Sequence, residues 1–212
     1  MTRDQKDKRD IRRATGNILA VFLDAPELTQ EAGRRWYAEE GARCADFARR
    51  HGLTRAAVAG AAAAISPGMN WANVFAHLAA LRADPGARVP TYSWEFVRRA
   101  LACMDGAAPL EVLGGPKVRA FYKLLSRTDM NAVVIDGHAW NIARGECVVF
   151  RDRPGARAPA AVEVTERRYR IAEAAYREAA EVLGEMPHAV QAATWVHWKN
   201  VHSQRGRKPG ED

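Results

Sequence analysis

The sequence predicts an all-α protein, a helical bundle, and three observations predict it. Apolar residues recur at helical spacing over most of the 212 residues. Residues that cap helix N-termini stand just before those runs. Nothing alternates strands with helices in the manner of a Rossmann or barrel enzyme. Composition agrees: 48% hydrophobic and 27% charged residues suit a soluble globular chain and argue against wholesale disorder. At 23.4 kDa, a single helical domain over 1–212 is expected, large enough to build a core without metals or disulfides.

Each element follows from local signals. Ile11 to Leu23 reads as a first helix, with Ile18, Leu19, Val21 and Phe22 as its apolar content. Thr29 is expected to cap a second helix to about Arg49, where Trp36, Tyr37, Cys44 and Phe47 recur and His51-Gly52 ends the run. Thr54 caps an alanine-rich third helix up to Ile65, and Ser66-Pro67-Gly68 breaks it. A fourth, from about Asn70 to Leu81, closes at Asp84-Pro85-Gly86. Thr91 or Ser93 opens a fifth with Trp94, Phe96, Val97 and Leu101. Glu111-Val112-Leu113 then leads through Gly114-Gly115-Pro116 into an amphipathic run, Lys117 to Leu125. Val133-Val134-Ile135 is a short buried stretch meeting Asp136-Gly137-His138. A short irregular or minor β segment is expected near 147–164, where Pro154, Gly155 and Pro159 fall. Thr165 caps a long helix from Glu166 to Leu183, ended by Gly184, and Pro187 starts a last helix through Trp195 and Trp198.

Charge and cysteine usage narrow the function classes. The net charge is +7 and the isoelectric point about 9.7, a balance that suits a polyanionic partner such as nucleic acid. Yet 26 of the 32 basic residues are arginine and alanine is abundant, which a GC-rich coding sequence also produces. Cys44, Cys103 and Cys147 are scattered and odd in number, with no zinc or iron–sulfur spacing. The six histidines form no H-x-x-x-H or H-E-x-x-H pair, so neither metal nor cofactor is expected. The longest uncharged apolar stretch, Ala56 to Ile65, is too short to span a bilayer, and the N-terminus has no signal-peptide core. A cytoplasmic protein without a membrane partner is the expectation.

Two segments carry chemistry. Gly114-Gly115-Pro116 permits a tight turn whose free amides face outward at a helix N-terminus, an anion site by geometry and dipole. The helix that follows bears Lys117, Arg119, Lys123 and Arg127 with no acid before Asp129, which suits a nucleic-acid backbone. An ordinary helix connection with a solvated basic face gives the same pattern. Nineteen residues after Lys117, the run Val133-Val134-Ile135 delivers Asp136 to the start of a helix. Asp136 is then either a plain N-cap or a half-desolvated carboxylate able to activate a water or stabilise a developing cation.

The pair of motifs resembles the helix-hairpin-helix DNA glycosylase superfamily. Its hairpin reads Leu-Pro-Gly-Val-Gly-x-Lys, and here Gly115-Pro116-Lys117 stands where Gly-x-Lys would. Ile135-Asp136-Gly137-His138-Ala139 stands where the family has Val-Asp-Thr-His-Val. Upstream, Ala64-Ile65-Ser66-Pro67 resembles a turn that helps build the base pocket. The resemblance covers about 54–145, with 165–203 as a helical annex and 204–212 as a basic tail.

What the resemblance implies is a DNA base-processing enzyme, glycosylase or glycosylase/lyase, acting on double-stranded DNA in a bacterium or phage-infected host. Asp136 would activate the nucleophile, and Lys117 would attack the sugar C1′ or hold a phosphate. Gly114, Gly115, Arg119 and Lys123 would grip the DNA backbone. Ser66, Asn70, Trp71, Trp94 and His138 would line a pocket for the extruded base. Trp71, Tyr92, Trp94 and Trp140 offer stacking surfaces, although core packing is the commoner fate of such residues. The chain also departs from the pattern. Pro116 removes one amide from the hairpin, and Gly68 stands where a gap-filling Gln is usual. Those departures suit two alternatives: a phage-type base-hypermodifying transferase on the same scaffold, and a non-catalytic DNA-binding module.

Overall fold

Thr2 starts the first helix, α1 (Arg3–Asp24), eight residues before the apolar pattern does. The Gln5 amide donates to Thr2 Oγ1 and the Thr2 amide donates to Gln5 Oε1, a reciprocal capping box. The charged first turns need no apolar stripe because they are held by ion pairs. Lys8 meets Asp4 one turn back, and Arg167 donates to both Asp7 and Asp10. The computed structural model describes residues 2–91, 93–146 and 164–204. Tyr92, most of the segment expected to be irregular or β (147–163, with Cys147), and the basic tail from Arg205 onward lie outside the described residues.

The described residues hold ten α-helices and no strand, an all-α helical bundle as the sequence predicts. After α1 come α2 (Glu27–His51), α3 (Arg55–Ile65), a 3-10 turn (Trp71–Asn73), α4 (Val74–Ala83) and α5 (Trp94–Met104). They are followed by α6 (Pro109–Val112), α7 (Pro116–Ser126), α8 (Gly137–Arg144), α9 (Glu166–Leu183) and α10 (Pro187–Gln204). Thr54, Ser93 and Thr165 cap α3, α5 and α9 with their hydroxyls, as expected. Thr29 is not a cap. The Pro26 carbonyl accepts from the Thr29 and Gln30 amides, so α2 begins earlier. Asn70 caps the 3-10 turn rather than α4, which starts at Val74.

The chain divides into two compact units. One unit comprises residues 1–36 and 133–212; the other is the continuous stretch 37–132, so α2 contributes to both. In the first, α1 packs on α8, α9 and α10. Its core gathers Ile18, Phe22, Val133, Ile135, Ile142, Tyr176 and Val190 around alanines of α9. Gly33 on α2 lies so close to α10 that an added Cβ would stand 2.4 Å from the Ala193 backbone.

The second unit is built around α3, whose residues Ala57 to Ile65 are all buried. A helix apolar on every side must be sheathed on every side, and α4, α5, α6 and α7 all pack against it. Its small side chains permit this close approach. At Gly60, an added Cβ would come within 2.9 Å of Cys103 Sγ and Pro109. Burial pushes the thiols of Cys44 and Cys103 up, to about 12 and about 11.

Candidate functional site

Asp136 sits where the sequence puts it, at the N-cap of α8. Val133, Val134 and Ile135 before it are buried. The Tyr169 hydroxyl pins this run by donating to the Val133 carbonyl at 2.8 Å. Burial drives the Tyr169 phenol well above its ordinary range. The Asp136 side chain, half-buried, takes one donor on each oxygen. Oδ1 accepts the Ala139 amide at 2.8 Å, and Oδ2 accepts the indole N–H of Trp195, from α10, at 3.1 Å.

Aromatic groups surround that indole. The Trp195 ring lies 6.4 Å from Trp36 and 6.4 Å from His138, nearly perpendicular to the latter. The Lys199 ammonium stands 4.3 Å from the Trp195 ring centroid. Beneath them Tyr176 is fully buried and its hydroxyl pairs with Thr194. Its phenol is pushed well above the usual value, first by burial and in part by the nearby Asp136 charge.

The hairpin lies in the second unit. Short α6, the Leu113-Gly114-Gly115 turn and α7 form a helix–turn–helix in which Gly115 adopts φ +70°, a conformation that favours glycine. At Gly114 an added Cβ would stand 2.4 Å from the Arg99 guanidinium, the far end of a flexible side chain that can move aside. Arg119 donates to the Leu113 carbonyl at 2.9 Å, folding back over the turn. Lys123 pairs with Asp129 at 3.1 Å. Among the described residues, Lys117 has neither a hydrogen-bond nor an ion-pair partner.

The residues expected to form a base pocket lie on different elements of the two units. Ser66 ends α3, its hydroxyl donating to Ala63, and Asn70 caps the turn that carries Trp71. The Trp71 ring packs on Phe75 and Phe121. Trp94 opens α5 and is 55% exposed. His138 alone shares an element with Asp136. Trp140 is a core residue whose indole N–H has no partner among the described residues. Trp195 and Trp36 carry no motif legible in the sequence; each acts through a contact distant in sequence. No three His, Cys, Asp or Glu side chains among the described residues group so as to hold a metal ion. No described helix is long and apolar enough to cross a membrane.

The fold and site define an all-α protein with a carboxylate fixed at a helix start and a basic glycine hairpin. The chain belongs to a protein family of unknown function (DUF7178), whose profile matches residues 1–202. Comparison with curated proteins and with solved structures gives no match.

Proposed function

We propose that this protein binds duplex DNA through the α6–α7 hairpin and acts on an extruded base, as a helix-hairpin-helix glycosylase does. The observation that carries the reading is the anchoring of Asp136. A buried apolar run delivers the carboxylate to a helix start, and a separate donor fixes each oxygen. In the proposed step a water oxygen attacks the sugar C1′ and the C1′–N bond breaks. The base leaves with the bonding electron pair and Asp136 takes the water proton. The carboxylate also stabilises the positive charge that develops on the sugar.

On the DNA side, the turn amides, Arg119 and Lys117 meet phosphates. Lys117 suits this role because no acid neutralises it among the described residues, whereas Lys123 is paired with Asp129 and contributes less. Borohydride trapping tests the reading on duplexes carrying uracil, an abasic site, an oxidised base or 5-hydroxymethyluracil. Base release that falls 10²–10⁴-fold in Asp136→Asn, without an adduct, supports a carboxylate-driven glycosylase with Lys117 on phosphate. An adduct lost in Lys117→Ala makes Lys117 the nucleophile. Duplex binding with neither release nor adduct overturns base excision, and an amine co-substrate requirement would then identify a base-modifying transferase.

A further inference from the structure

We infer that Trp195 is the positioning residue of the Asp136 carboxylate, an inference that rests on the reading of Asp136 as the reacting group. A carboxylate capping a helix through one oxygen can still swing the other about its last side-chain bond, because one acceptor contact does not fix the plane. The indole N–H of Trp195 fixes it, donating to Oδ2 at 3.1 Å while the Ala139 amide holds Oδ1 at 2.8 Å.

The indole is itself held in place. Thr194, the residue before it, is completely buried and bonds both the Val190 carbonyl and the Tyr176 hydroxyl. The Val190 bond lies within α10, and the Tyr176 pair ties α10 to α9. Trp36 and His138 flank the ring, and the Lys199 cation over its face draws electron density from it, which makes the N–H a better donor. Trp195 thus presents a single donor from a fixed direction, 59 residues along the chain from its acceptor. Each carboxylate oxygen keeps a lone pair available to a water or a sugar.

The test uses the full chain with ¹⁵N-labelled tryptophan and two variants. Trp195→Phe keeps the ring and deletes the N–H, and it assigns the Trp195 indole signal by its absence. Asp136→Asn keeps the capping oxygen and replaces the other by an amide nitrogen that cannot accept. In the wild type the Trp195 indole proton is expected downfield and slower to exchange than that of exposed Trp94. In Asp136→Asn it should move upfield and exchange faster. On a duplex with a single uracil or 5-hydroxymethyluracil, Trp195→Phe should lower the single-turnover rate roughly ten- to a hundredfold, the range for one hydrogen bond to a charged group. Its duplex Kd should stay within about twofold of wild type, since the phosphate contacts are proposed for the α6–α7 hairpin. An indole signal indifferent to Asp136→Asn overturns the inference, and so does a Trp195→Phe rate equal to wild type. If the wild type processes neither duplex, the base-excision reading fails on its own, and the indole comparison still decides whether Trp195 holds Asp136.

Discussion

Replacing Gly33 by alanine puts one methyl group where α2 approaches α10. The added Cβ would lie 2.4 Å from both Cα and N of Ala193 and 2.6 Å from its Cβ. Ordinary contact begins near 3.4 Å, so the two helices must part by roughly 1 Å there. No side-chain rotation relieves the clash because two of the three atoms are backbone. Overpacking of this kind costs about 2–3 kcal/mol, and the higher helix propensity of alanine returns about 1 kcal/mol. The net loss is about 1–2 kcal/mol, or roughly 2–8 °C in melting temperature for a chain of this length. Gly16 supplies the control. It lies on exposed α1 surface with nothing within 4 Å of an added Cβ, so Gly16→Ala should raise stability by about 0.5–1 kcal/mol. Thermal melts followed by circular dichroism at 222 nm read both variants. A Gly33→Ala protein as stable as wild type, or two variants shifted in the same direction, would refute the reasoning from helix contact.

Further outcomes follow from other contacts. Tyr169→Phe leaves the buried Val133 carbonyl without its 2.8 Å donor and should cost about 1–2 kcal/mol in urea unfolding; an unchanged midpoint would contradict the anchoring of the run before Asp136. In a Cys147→Ser background, neither Cys44 nor Cys103 should react with a thiol reagent at pH 8 until the chain unfolds, because burial raises them to about 12 and about 11. Stoichiometric labelling of the folded protein would contradict that. The hydrogen bond from Arg167 lowers Asp10 below its ordinary 3.8. A depressed carboxyl stabilises the fold above its unfolded pKa, and that stability is lost as pH falls through the folded value. Melting temperature should therefore decline below about pH 4, and Arg167→Ala should flatten the decline. Equal acid slopes in the two proteins would exclude this pair as a source of the pH dependence.

What the sequence discloses is what neighbouring residues decide. Thr54, Ser93, Asp136 and Thr165 are legible as caps because a cap reaches only two or three residues. Gly184 and Pro187 mark a stop and a start for equally local reasons. The first turns of α1 are not legible, since Arg167, which holds Asp7 and Asp10, stands some 160 residues away. Short α6 offers too few residues for any period to appear. The same division runs through the site. The hairpin glycines and Asp136 announce themselves by order and spacing. Trp195 does not, because its hydrogen bond exists only once α10 has docked beside α8. Trp140, readable either as a stacking surface or as core, is core because α8 turns its ring inward.

The first unit takes its two parts from the ends of the chain, with 37–132 between them, and this fixes a schedule for synthesis. α1 leaves the ribosome well before its main partner α9, which begins only at Glu166. At about 5–20 residues per second, Ile18 and Phe22 wait roughly ten to thirty seconds for the surface that covers them. The stretch 37–132 is complete well before then and is free to fold in the interval. During that interval the apolar face of α1 stays unmatched while 37–132 is free to fold, the stage at which a holding chaperone matters most.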